Sequence, residues 1–144
     1  MKNLARILRT GAREWTSRGC LTYLSDGDLV TVTYGELEAR VQQWALYLQG
    51  RGINAGDRVG IITPKCADQF SAFYALWWLG AIAVPISEGL GALEMGFIIR
   101  DCEPELILVD DSMAGQVREY SPDVPVVRFR DIETDDGETA SLPL

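Results

Sequence analysis

Histidine is absent from the 144 residues. That absence removes imidazole acid–base catalysis, Ser-His-Asp and Cys-His nucleophile pairs, and nearly every histidine-containing metal site. Cysteine is scarce as well. Cys20, Cys66 and Cys102 are far apart and form no C-x-x-C pair, which reads as reduced thiols in a cytoplasmic protein instead of a disulfide frame. A basic stripe is also missing. Residues 1–100 carry ten Lys/Arg against nine Asp/Glu, and residues 101–144 carry three against twelve. This balance argues against nucleic-acid binding, which needs clustered cations. The apolar stretch 70–86 is short of the roughly 20 residues of a membrane span and is interrupted by Gly80 and Pro85. The N-terminal "MKNLARILRTGAREW" lacks the continuous apolar core of a secretory signal. Its apolar residues Leu4, Ile7, Leu8, Ala12 and Trp15 follow helical spacing, so a helix packed on the domain is expected in preference to a transit peptide.

Phosphate-binding loops are missing too. Neither G-x-G-x-x-G nor G-x-x-x-x-G-K-(S/T) stands at a strand-to-helix junction, and the glycines of "LQGRGINAGDRVG" end a helix and turn the chain. "LILVDDSMAGQVRE" looks like the first strand of a response-regulator receiver, whose paired aspartates hold Mg²⁺. Only 33 residues follow Asp111 and none is lysine, so a strand end followed by a helix cap is the preferred reading. Residue chemistry alone exposes no active centre.

What is present is a patterned globular chain. Hydrophobic residues make up 47% and charged residues 24%, enough for one domain with its own core. Two strand-like runs flank Asp26-Gly27, a strong hairpin signal, and alternation of Val30 and Val32 with Thr31 and Thr33 predicts one buried face. Thr33 to Glu36, "TYGE", forms a capping box, with Val32 and Leu37 as a hydrophobic staple. Leu37, Val41, Trp44, Ala45 and Leu48 line one face of the helix that follows. Strand 58–63 leads through Pro64 to a helix over 66–79 that is apolar nearly all round. One side carries Cys66, Phe70, Phe73 and Trp77, the other Ala67, Tyr74 and Trp78, and both are expected to be covered. Trp77 and Trp78 stand about 100° apart on such a helix and cannot form one flat platform, so they read as core.

"AIAVPI" is the next strand. A third helix over "LGALEMGFIIRD" is expected to turn Leu93, Phe97 and Leu90 inward. "LILV", residues 106–109, is a buried strand. Asp111 or Ser112 can cap a short helix carrying Met113 and Val117, and "VPVVRF" is a further strand. Strand–helix alternation with continuous apolar strands predicts an α/β fold, a mostly parallel, doubly wound sheet with helices on both faces, preceded by a β-hairpin. The expected organisation is an α/β subdomain over 1–130 and an acidic, exposed tail over 131–144.

The chain resembles the adenylate-forming superfamily, which holds acyl-CoA synthetases, fatty-acyl-AMP ligases, luciferases and peptide-synthetase adenylation domains. Its first core motif, (L/V)-T-Y-x-E-L, is matched by Val32-Thr33-Tyr34-Gly35-Glu36-Leu37, and G-D-R-V by Gly56 to Val59. The second, A-G-A-x-x-V-P-(I/L), is matched by Leu79 to Ile86. "ALEMGFIIRDCEPELILVD" is similar to the family's E-L-x-Y-I-L-x-D helix and its next strand. The likeness covers about residues 5 to 130, with the motifs in the family's order. Two departures concern the substrate and not the fold: Ser87-Glu88-Gly89-Leu90 stands where N-P-R-L is common, and "TPKC" where an Asn-Ser pair is frequent.

The resemblance implies an ATP-dependent, Mg²⁺-requiring ligase. A carboxylic acid, expected to be fatty, attacks the α-phosphate of ATP to give acyl-AMP and pyrophosphate, and the CoA thiol then displaces AMP. Relatives of this kind hold the phosphates on a Ser/Thr/Gly-rich loop and carry a catalytic lysine in a C-terminal domain. None of these motifs lies in the 144 residues, so the chain is expected to be the N-terminal subdomain of such a ligase, inactive alone and holding no catalytic residue or metal ligand. The loop after the V-P-(I/L) strand lies near the CoA nucleotide in relatives, which points to Ser87, Glu88 and Gly89. Two alternatives stand beside this: a fatty-acyl-AMP ligase or adenylation domain that loads a carrier protein, and a non-catalytic α/β interaction module.

Overall fold

The computed structural model describes residues 3–133. Helix α1 (Ala5–Glu14) is followed by strands β1 (Gly19–Ser25) and β2 (Asp28–Thr33). These pair antiparallel around Asp26 and Gly27, whose φ values of 51° and 91° are the two positive angles a type I′ turn requires. The hairpin stands as its own two-stranded sheet. Its valine face is only half-buried, and Leu24 and Leu29 are exposed. A buried face was expected; a two-stranded sheet covered on part of one side cannot supply it.

Then come α2 (Tyr34–Gly50), β3 (Arg58–Ile62), α3 (Ala67–Leu79), β4 (Ile82–Ile86), α4 (Ala92–Cys102), β5 (Leu106–Val109), α5 (Ala114–Tyr120), β6 (Val126–Arg128) and α6 (Phe129–Glu133). The four later strands form a parallel sheet ordered β4-β3-β5-β6. Pleating splits the core in two. Val59, Ile61, Leu106 and Leu108 point to one face, under α1, α2, α3 and α6. Ile62, Ile107 and Val109 point to the other, under α4 and α5. Helices on both faces of a parallel sheet are the expected doubly wound architecture.

Helix α2 follows its sequence closely. The Thr33 hydroxyl accepts the Glu36 amide, and the Glu36 carboxylate accepts the Thr33 amide at 2.8 Å. Its buried residues are Leu37, Val41, Trp44, Ala45 and Leu48.

Elsewhere the structure corrects the expectations. On α4, Leu93 and Phe97 are 88% and 63% exposed, and Met95, Gly96 and Ile99 face the core. On α3, Trp78 is buried, but Phe70 is exposed and Trp77 only half-buried, stacked on Phe73 at 5.7 Å. One side of α3 is therefore partly open. On α1, the helix is present, yet Ala5, Leu8 and Ala12 make its inner face while Leu4, Ile7 and Trp15 look outward. Neither Asp111 nor Ser112 caps α5: its N-cap position is Met113, with no side-chain cap, and the turn before it is closed by Asp110, whose Oδ1 accepts the Met113 amide at 3.1 Å and the Ser112 hydroxyl at 2.8 Å. Finally, the segment expected to start an exposed tail at residue 131 opens inside α6, with Ile132 fully buried. Residues 134–144 of that tail lie outside the described residues.

Candidate functional site

The connection from β3 runs through α3 over one face to β4, and that from β5 runs through α5 over the other face to β6. Adjacent strands whose connections leave in opposite senses open a crevice at their carboxyl ends, where ligands of open α/β sheets bind. The rim of this crevice is built from the turns after β3 (residues 63–66), β4 (87–89), β5 (110–112) and β6.

After β3, Thr63 is buried, and its hydroxyl donates to the Pro64 carbonyl at 3.1 Å and lies 3.5 Å from the Cys66 sulfur. Beside this turn, facing the hairpin, lies a cavity of about 540 Å³ lined by Tyr23, Ser25, Arg40, Lys65, Cys66 and Asp68, among others. Arg40 and Asp68 cross it as an ion pair at 2.9 Å. Sequence reasoning did not assemble this group. Arg40 and Asp68 are 28 residues apart, and only the packing of α2 on α3 brings them together.

After β4, Ser87, Glu88 and Gly89 are all exposed. The Ser87 hydroxyl accepts the Gly89 amide at 3.3 Å, a local turn, and the Ser87 carbonyl accepts the Leu90 amide. The three residues adjoin one another on the edge strand's turn and are not among the residues that line the hairpin cavity.

After β5 and β6 the rim is charged. Asp111 binds the Arg130 Nε at 2.9 Å, and Arg128 grips Asp131 through two guanidinium bonds of 2.7 and 3.0 Å. Those bonds hold the Asp131 carboxyl below its ordinary range, with burial opposing, and they raise Arg128 further. The i,i+3 spacing of Arg128 and Asp131 was a readable signal that went unused.

These groups do not suit a Mg²⁺–triphosphate. Asp110 is engaged by the Met113 amide and the Ser112 hydroxyl, Asp111 and Asp131 are paired with arginines, and no group of three or more Cys, Asp or Glu able to hold a metal ion occurs among the described residues. The crevice has the shape of a ligand-binding α/β rim.

Comparison with known proteins defines the class. The family described as "AMP-binding enzyme" matches residues 8–141, and the chain belongs to that family. It is 33% identical over 108 residues to the long-chain-fatty-acid–CoA ligase FadD13 of Mycobacterium tuberculosis, covering 75% of this chain and 21% of that protein. It is 34% identical to the acetyl-coenzyme A synthetase of Thiobacillus denitrificans, covering 90% of this chain and 20% of that one. The fold superposes on O-succinylbenzoate coenzyme A synthetase of Bacillus subtilis, solved with AMP, at a TM-score of 0.80 and 26% identity. That match covers 95% of this chain and 33% of the other. Nonribosomal peptide synthetases match as well. The chain spans about a fifth of the length of the curated ligases it matches.

Proposed function

We propose that this chain is the N-terminal platform of an AMP-forming carboxylic acid–CoA ligase, a cytoplasmic enzyme using ATP, Mg²⁺ and CoA. The platform covers residues 1–130 and continues through the buried Ile132. The observation that carries the reading is the match to the AMP-binding family over residues 8–141 on a doubly wound sheet. On this reading the contribution of these residues is to support the segments that hold the phosphates and Mg²⁺. A long-chain acid is the preferred substrate class, because FadD13 stands among the relatives.

Ser87, Glu88 and Gly89 are the residues we assign to the neighbourhood of the CoA nucleotide. Their place at the carboxyl end of a parallel strand, with open access to solvent, supports this. Glu88 would repel the CoA phosphates there. In the complete enzyme, Glu88→Lys should lower KM for CoA by up to about fivefold, the size of an exposed charge effect, and leave adenylation untouched. A KM that does not move returns the loop to the role of a surface turn.

The reading as a whole is tested by acid-dependent exchange of labelled pyrophosphate into ATP. The protein from the complete reading frame should exchange with a fatty acid and the 144-residue chain should not. Failure with every acid tried would contradict it. The match to peptide synthetases favours a second reading, transfer to a carrier protein. Thioester appearing on a carrier phosphopantetheine but not on free CoA would decide for that one.

A further inference from the structure

Helix α1 shows three faces. Ala5, Leu8, Gly11 and Ala12 are buried against the domain. Arg6 and Arg13 are exposed. Leu4, Ile7 and Trp15, spaced i, i+3 and i+11, form an exposed stripe along the third, with the buried Gly11 between Ile7 and Trp15. Leu4, Ile7 and Trp15 are 51%, 64% and 47% exposed. Gly11 turns its missing side chain toward the Tyr34 ring, where a Cβ would come within 2.6 Å. A shallow groove of about 470 Å³ follows the stripe, and every residue lining it belongs to α1 or its immediate flanks, Arg6 included. The Arg18 guanidinium lies 5.8 Å from the centre of the Trp15 ring.

Charge separates this end from the rest of the chain. Residues 1–18 hold five Lys/Arg and one acid, a balance of +4, while the remaining residues hold eight against twenty, a balance of −12. A partner drawn to this helix therefore carries negative charge and accepts apolar side chains. The groove is walled by one helix only, so a partner helix would find a single side to grip. A planar interface needs no second wall: a convex rail of Leu, Ile and Trp can sink into it, with arginines reaching its charged surface. No described helix is long and apolar enough to cross a membrane, so the contact is superficial.

We propose that the Leu4–Ile7–Trp15 stripe of α1, with Arg6 lining its groove and Arg18 beside Trp15, seats this protein on an anionic lipid surface. The acidic remainder is repelled by the same surface, so α1 is the part presented to it.

The test is co-sedimentation of the 144-residue chain with vesicles of phosphatidylcholine alone or with about 30% phosphatidylglycerol at about 0.1 M salt. Anionic vesicles should bind it at least about tenfold more tightly than neutral ones, and raising the salt to about 1 M should remove most of that difference. Ile7→Glu should weaken binding about tenfold or more, with an unchanged thermal midpoint because the side chain is exposed. The double variant Leu93→Ser/Phe97→Ser removes the exposed apolar pair on α4 and should bind as wild type does. No sedimentation with anionic vesicles would overturn the proposal, as would full binding by Ile7→Glu or loss of binding in the α4 variant. Dimerisation through the stripe, abolished by Ile7→Glu, would assign the face to a second copy and overturn it equally.

Discussion

Helices α2 and α4 pose the same problem with opposite outcomes. Both carry apolar residues at helical spacing, and both pack one side on the sheet. In α2 every residue expected inside is inside. In α4 the expected stripe, Leu93 and Phe97, is the exposed one, and Met95 and Ile99 take the core. The difference lies in how many phases each sequence permits. Charged and polar residues such as Glu38, Arg40, Gln42 and Gln43 interrupt α2, leaving one apolar face, and its full capping box fixes where the helix starts. Helix α4 offers two rival i,i+4 pairs, 93/97 and 95/99. Met95 and Ile99 reach the core beneath α4, together with Gly96. Gly96 lies against α5, where an added Cβ would stand 3.2 Å from the Arg100 guanidinium and 3.8 Å from the Tyr120 carbonyl. At the start of α4 only half a capping box exists, the Glu94 carboxylate accepting the Gly91 amide, because glycine has no side chain to complete it.

The contrast can be broken at its strong end first. Trp44, fully buried in α2 and 5.2 Å from Phe129, should lose about 3–5 kcal/mol on change to alanine, measured by denaturant unfolding. Within α4, Met95→Ala should cost about 2–5 kcal/mol, whereas Leu93→Ser should stay within about 0.5 kcal/mol of wild type. Equal losses at 93 and 95 would mean the helix is rotated from the orientation described. The cap comes next: Thr33→Ala should destabilise by about 1 kcal/mol, while Gly91→Ala at the half-built cap of α4 should shift stability far less than removal of a full box.

The smallest effect is pH-dependent. Asp131 is depressed chiefly by the hydrogen bond from Arg128, so its contribution is present above the ordinary carboxylate value of about 4 and is lost as pH falls through the lower folded value. Asp131→Asn should therefore flatten the decline in stability below about pH 4 and leave the slope between pH 6 and 8, roughly neutral conditions, unaltered.

Legibility follows from locality. The Asp26-Gly27 turn, the Thr33 box and the continuous apolar run of β5 are each decided by neighbouring residues, and each is where the chain's local chemistry puts it. The start of α5 was misjudged because Asp111 and Ser112 stand where a cap is expected, yet it is Asp110, at the strand end, that accepts the Met113 amide and closes the turn before the helix. Trp77 and Trp78 divide similarly. Adjacent on the helix, they meet different surroundings, Trp78 in the core and Trp77 stacked on Phe73 at its margin. Ile132 stood in an acidic run whose composition reads as solvated, yet it packs under α2, with Gln43 bonded to its carbonyl. Of the candidate site, the family motifs were readable. The rim's Asp111–Arg130 pair and the Arg40–Asp68 pair required the fold, since each joins residues from different elements.

The most direct measurement is calorimetric titration of ATP–Mg²⁺ into this polypeptide. A platform whose aspartates are tied up in a turn and in arginine pairs should give no heat of specific binding. Saturable micromolar affinity would reveal a nucleotide site within these residues and contradict the account.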